Sequence, residues 1–83
     1  MYYVYLLKSD KDNKYYIGFS GDLKRRIREH LNGQVDATKH RHPVRLIYYE
    51  AYETETLARE REAQLKQFGS AYTGLLKRIK EKP

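Results

Sequence analysis

The 83-residue sequence contains no cysteine and no tryptophan, and only two prolines. Without thiols there is no disulfide and no thiolate metal site. No run of about 18 apolar residues occurs, so no membrane span is expected. The opening Met1-Tyr2-Tyr3-Val4-Tyr5-Leu6-Leu7 is apolar, but it is short and carries neither a basic leader nor a small-residue cleavage site. It reads as a first strand, and a cytoplasmic protein is the expectation. A P-loop, an H-E-x-x-H pattern, a Cys/His cluster and a G-x-S-x-G motif are all missing. So are internal repeats, linkers and low-complexity tracts. The length suits a single domain, residues 1–83, around one modest core.

Acidic residues are also short: 11 against 17 lysines and arginines, a formal net charge of +6. The excess clusters in Lys24-Arg25-Arg26 with Arg28, in Lys39-His40-Arg41-His42 with Arg45, and in Lys77-Arg78 with Lys80 and Lys82. Such a surface attracts polyanions, and counterion release favours a phosphate backbone. Ordinary solubilising charge is the plainer alternative.

Periodicity supplies the elements. Residues 2–8 alternate aromatic and aliphatic types before the turn-rich Ser9-Asp10-Lys11-Asp12-Asn13, and Tyr15-Tyr16-Ile17-Gly18-Phe19 follows as a second strand. The pair reads as an antiparallel hairpin with Tyr5 and Tyr16 opposite or nearly opposite. Asp22 is an N-cap for a helix to about residue 32 with Leu23, Ile27 and Leu31 in one apolar stripe, ended by Asn32-Gly33. Residues 34–43 read as an ordered polar loop closed by Pro43, and Val44 to Tyr52 as a third strand. Thr54 caps a second helix running to Phe68 and stopped by Gly69, with Leu57, Ala58, Leu65 and Phe68 near one face. Arg61 falls on that face too, which calls for a carboxylate partner or a stem reaching the surface. Ser70 caps a third helix along Tyr72, Leu75, Leu76 and Ile79. The expected fold is α+β: a three-stranded antiparallel sheet flanked by helices, in the order ββαβαα.

The chemistry left to this composition is phosphate chemistry built from Tyr, Arg, His and Glu. Arg26 and His30, four apart, share a helix face and set a permanent cation beside a group that ordinarily titrates near neutral pH. A solvated helix edge would look the same. Among Glu53, Glu55, Glu60 and Glu62, the last lies beside the apolar stripe, where a half-buried carboxylate can bind a hard cation. A tyrosine acting as base needs a nearby cation, since its ordinary pKa is about 10.

Tyr3-Val4-Tyr5 followed by Tyr16-Ile17-Gly18 resembles the paired motifs of the GIY-YIG nuclease superfamily, in particular its small single-domain members, relatives of the nuclease domain of the excinuclease incision subunit. The second motif matches letter for letter, and Tyr3 replaces the glycine of the first. Gly18 to His30 is similar to the family's stretch reaching its arginine, Pro43 to Glu50 to its third strand, and Ala58 to Lys66 to its glutamate helix. The resemblance implies a metal-dependent endonuclease. In it Tyr5 and Tyr16 position or activate water, Arg26 stabilises charge on the phosphate, and His30 acts as base or relay. Glu62, chosen over Glu60 by the resemblance, holds one Mg²⁺ or Mn²⁺. The implied partner is nucleic acid, DNA in the first instance, with weak or structure-based selectivity and room for a protein partner that supplies specificity. DNA repair is the implied setting.

Where some members carry a lysine, this chain has Phe19, and Lys24 and Lys39 are the candidates to replace it. Lys39, Arg41 and Arg45, with His40 and His42, are the expected backbone contacts, a solvated basic loop being the alternative. Two other readings stand beside the endonuclease: a catalytically weak GIY-YIG fold acting as a binding or adaptor module, and a small basic structural protein. The last would not require Tyr5, Tyr16, Arg26 and Glu62 to surround one spot.

Overall fold

In a computed structural model of the protein, which describes residues 1–81, the elements follow in the order ββαβαα, an α+β fold. Lys82 of the C-terminal basic cluster lies outside the described residues. Strand β1 (Tyr2–Ser9) pairs antiparallel with β2 (Tyr15–Ser20) on one side and with β3 (Val44–Tyr52) on the other, giving the order β2-β1-β3. Side chains alternate across a strand. The central strand nevertheless buries Val4, Tyr5, Leu6 and Leu7 in succession, because both faces of the sheet are covered. Helices α2 (Glu55–Leu65) and α3 (Ser70–Arg78) bring Ala58, Leu65, Leu75 and Leu76 onto the Val4, Leu6 and Ile17 face. Helix α1 (Leu23–Leu31) lays Leu23 and Ile27 on the Tyr5, Leu7 and Val44 face. Along β3, Leu6 pairs with Tyr48 and Leu7 with Leu46, so the register skips Ile47 at a bulge. No helix among the described residues is long and apolar enough to cross a membrane.

The caps read from the sequence hold at two helices. The Asp22 carboxylate accepts from the Arg25 N–H at 3.1 Å, and the Thr54 hydroxyl from the Leu57 N–H at 3.2 Å. The third differs: Gly69 is the N-cap of α3, Ser70 is already helical, and no side chain caps this end. Helix α2 stops at Leu65 rather than Phe68, which sits at φ 55° with its ring exposed against Tyr72. Leu31 and Leu57 are exposed as well. Leu57 is one residue, or 100°, off the Ala58–Leu65 line that meets the sheet, and Leu31 lines an open groove with Leu46 and Tyr49.

Arg61 finds its carboxylate. Its Nε and Nη2 donate to the two Glu50 oxygens at 2.9 and 3.1 Å, and the Tyr48 and Tyr52 hydroxyls donate to the same carboxylate. Burial opposes ionisation of Glu50, but these bonds hold it below the usual carboxylate range. The result ties α2 to β3 through a satisfied, charge-assisted network.

Candidate functional site

Tyr5 pairs across the hairpin with Gly18, and Tyr16 with Leu7. The tyrosines are therefore diagonal neighbours on one face rather than direct partners, with ring centroids 6.3 Å apart. Gly18 makes this possible. A Cβ placed there would lie 2.7 Å from Tyr5 Cε2 and closer still to Cζ and the hydroxyl, so the Tyr5 ring occupies the space a side chain would need.

Helix α1 crosses above the pair. Its His30 is wholly buried and edges both rings, at 5.6 Å from Tyr5 and 5.1 Å from Tyr16, with Nε2 2.8 Å from the Tyr5 hydroxyl. One turn earlier, the Arg26 guanidinium bears electrostatically on Tyr5 and Tyr16, while its Nη1 meets Glu29 at 3.0 Å. From α2, Glu62 is near enough for its charge to act on Tyr5. The five residues singled out from the sequence thus meet where α1 and α2 approach the β1–β2 hairpin.

Burial, reinforced by Tyr16 and Glu62 and opposed by Arg26, pushes the Tyr5 phenol up to about 12. Burial also pushes His30 down to about 4, helped by the Arg26 and His42 charges against Glu29. His30 therefore does not titrate near neutral pH, as an exposed helix edge would have let it; it stays an uncharged imidazole. This has a consequence for stability. An unfolded histidine binds its proton near 6.5 and the folded one near 4, so stability present above pH 6.5 is lost as pH falls between those values. We expect denaturant unfolding to report a loss of about 2 kcal/mol between pH 7 and 5, absent from His30→Gln. A flat profile in the native protein would refute the buried, neutral assignment.

Glu62 is mostly enclosed and already paired. Lys66 Nζ lies 2.9 Å from Oε2 and Arg59 Nη1 3.8 Å from Oε1. Among the described residues no three His, Asp or Glu side chains gather closely enough to cage a cation. One carboxylate still suits Mg²⁺ or Mn²⁺, because Mg²⁺ keeps much of its water and takes further ligands from substrate phosphate. Both resident cations are about half exposed, and such an ion would have to displace them from Glu62.

Two features escaped the sequence reading. Arg59 lays its guanidinium 3.9 Å from the centroid of the Phe19 ring. The residue standing where a lysine was looked for thus seats an arginine beside Glu62. The other is Thr38, wholly buried, with its hydroxyl 2.7 Å from His30 Nδ1. Neither contact has a sequence signal, since each joins residues from separate elements.

The basic positions divide. Lys24 is exposed at the start of α1. Lys39 pairs with Asp36 at 3.3 Å, Arg41 with Asp12 at 3.6 Å and the Tyr15 carbonyl at 3.4 Å, and Arg45 with Asp10 at 3.3 Å. Arg41 and Arg45 thereby fasten the 34–43 loop and the start of β3 to the hairpin turn.

Comparison with known proteins places these features in a family. The family described as "GIY-YIG catalytic domain" matches residues 1–80. A UPF0213 protein of Staphylococcus saprophyticus is 41% identical over 68 residues, covering 81% of this chain and 82% of its own. Another, from Clostridium perfringens, is also 41% identical, covering 81% and 72%. Among solved structures, the solution NMR structure of the UPF0213 protein BH0048 from Bacillus halodurans superposes with a TM-score of 0.59 at 30% identity, covering all of this chain and 89% of that one.

Proposed function

The chain belongs to the GIY-YIG catalytic-domain family, and from that premise we propose that it is an endonuclease hydrolysing nucleic-acid phosphodiester bonds, DNA in the first instance, with weak or structure-based selectivity. The observation that carries the reading is the convergence of Tyr5, Tyr16, Arg26, His30 and Glu62 from four elements onto one place. Chance surface charge does not gather a buried tyrosine–histidine pair, an arginine and a mostly enclosed carboxylate together.

In this reading the phosphate lies between Arg26 and Glu62. The Arg26 fork donates to non-bridging oxygens as charge builds on them. Water adds to phosphorus, the bond to the leaving oxygen breaks, and the water's proton passes to a tyrosine oxygen. Burial keeps Tyr5 protonated at neutral pH, so that acceptor is the small tyrosinate fraction, which the Arg26 charge makes less costly. Glu62 would hold a divalent ion, which would supply Lewis-acid charge to the reaction. Arg59 and Lys66, once released from Glu62, are placed to meet the phosphate backbone, with Arg59 in the part first sought from Lys24 or Lys39. Exposed Lys24 adds a further backbone contact.

The pairing of Glu62 with two cations favours one second reading, a binding or adaptor module whose metal site stays closed. Cleavage of labelled duplex, flap, branched and single-stranded DNA and of RNA, with Mg²⁺, Mn²⁺ or EDTA, separates the two. The endonuclease reading expects metal-dependent products. Binding to the same panel with no product under any metal would replace it with the module.

A further inference from the structure

The basic run on α1 is only partly used by the site. Arg26 bears on Tyr5 and Tyr16 and pairs with Glu29, whereas Lys24 and Arg28 are exposed and have no ion-pair partner among the described residues. At 100° per residue, Arg26 and His30 flank the Leu23–Ile27 stripe on one side of the helix, and Lys24, Arg28 and Leu31 flank it on the other. On that second side a groove runs between α1 and β3, an outer strand of the sheet. Leu23 and Ile27 form its base, Leu46 and Tyr49 its far wall, and Lys24 and Arg28 its rim. No carboxylate among the described residues lines it.

Two of the large apolar side chains left in solvent, Leu31 and Tyr49, each 53% exposed, meet in this one groove. Scattered singly they would need no explanation; gathered together they mark a binding surface. An apolar floor beneath two unneutralised cations suits a ligand that is flat and apolar on its faces and anionic along its edge. An unstacked nucleotide strand has that chemistry, with bases lying on aromatic side chains and phosphates meeting cations. Lys24 and Arg28 stand one turn apart, about 6 Å along the helix, a separation that neighbouring phosphates of an extended strand can match. A duplex keeps its bases stacked inside and offers the groove only phosphates, so the apolar lining would gain nothing from it.

Resting on the nuclease reading above, we propose that the α1–β3 groove is a subsite for single-stranded nucleic acid, in which a base stacks on Tyr49 while Lys24 and Arg28 hold the phosphates. Tyr49 lies opposite Tyr5 in the β1–β3 ladder, so groove and site share one sheet face on the two flanks of α1. A second depression joins them around the start of the helix. It shares Leu23, Lys24 and Tyr49 with the groove and extends to Gly21 and to Tyr3, whose ring stands edge-on to Tyr49 at 6.2 Å. A substrate with an unpaired arm beside the scissile phosphate fills both flanks, and flap and branched forms are then preferred over plain duplex.

The test measures binding of a short labelled single strand and the matching duplex in EDTA. Tyr49→Ala should lose about tenfold in single-strand affinity, the worth of one stacked base, while Tyr49→Phe stays within about twofold of native. The ratio of single-strand to duplex affinity should fall with it. Arg28→Gln should lower the single-strand salt slope by about 0.7, one phosphate contact. Native single-strand binding in both Tyr49→Ala and Arg28→Gln overturns the inference, as does a loss that the duplex shares equally. A dimer of the native protein in sedimentation that Leu31→Ser disrupts also overturns it, by giving the groove to a second copy. Should Tyr49→Ala fail to fold, Arg28→Gln, a change at an exposed side chain, still decides it. The two readings fail separately. Single-strand binding that needs Tyr49, with nothing cut under any metal, removes the nuclease and leaves the subsite; flap cleavage with native KM in Tyr49→Ala removes the subsite and leaves the nuclease.

Discussion

Arg26→Ala and Glu62→Gln are each expected to leave a folded protein whose cleavage rate falls by about a hundredfold to a thousandfold, the loss typical of removing one preorganised charge from a reacting centre. Folding should survive because the ion pairs given up are modest. Arg26 pairs with partly exposed Glu29, and Glu62 with Lys66 and Arg59, both about half exposed. Thermal melts within a few degrees of native would confirm that. The two variants should then part company in binding measured with EDTA. Arg26→Ala should weaken duplex binding and lower the salt slope by about one unit, as loss of a phosphate contact does. Glu62→Gln removes a negative charge beside the phosphate path and frees Lys66 and Arg59, so metal-free binding should hold or tighten. The double variant should lose little more activity than either alone if both serve one transition state. Native cleavage in both single variants would dismiss the site; equal weakening of metal-free binding by both would dismiss the division of roles.

What made these five positions findable in the sequence was local. The alternation of Tyr3, Val4, Tyr5, Leu6 and Leu7 carries the central strand, Asp22 and Thr54 announce two helices, and the spacing of Tyr16-Ile17-Gly18 before Arg26 and His30 carries the resemblance. The failures are of another kind. Helical periodicity marks an apolar stripe but not how far the partner surface extends, so Leu31, Leu57 and Phe68 share in the stripes yet are exposed. The electrostatic character of His30 also depends on its surroundings: a helix-edge histidine titrates near neutral pH in water, and enclosure by Tyr5, Tyr16 and Thr38, helped by the Arg26 and His42 charges, moves it. Arg59 was legible as a partner of Glu55 or Glu62 at helical spacing, but its seat on Phe19 needs the crossing of α2 over β2.

Gly18→Ala should be the most disruptive single-methyl change in the chain, costing about 3 kcal/mol of stability, the upper range of overpacking penalties, with a loss of cleavage of about a hundredfold or more. The reason is geometric rather than conformational: Gly18 lies in regular strand, and what an added methyl meets is the rigid Tyr5 ring. That ring is fully buried and its hydroxyl is committed to His30, so it cannot yield without breaking that bond. Gly74→Ala is the matched control. Gly74 sits in α3 with nothing within 4 Å of a new Cβ, so alanine there should leave cleavage intact and add up to about 1 kcal/mol of stability through helix propensity. A double-mutant cycle isolates the contact. In a Tyr5→Ala background the space above residue 18 is empty, and Gly18→Ala should become neutral or stabilising, since alanine restricts the unfolded chain more than glycine does. A Gly18→Ala penalty that persists without the Tyr5 ring would place its origin in the strand backbone instead, and the tyrosine would lose its role as the reason this position is glycine.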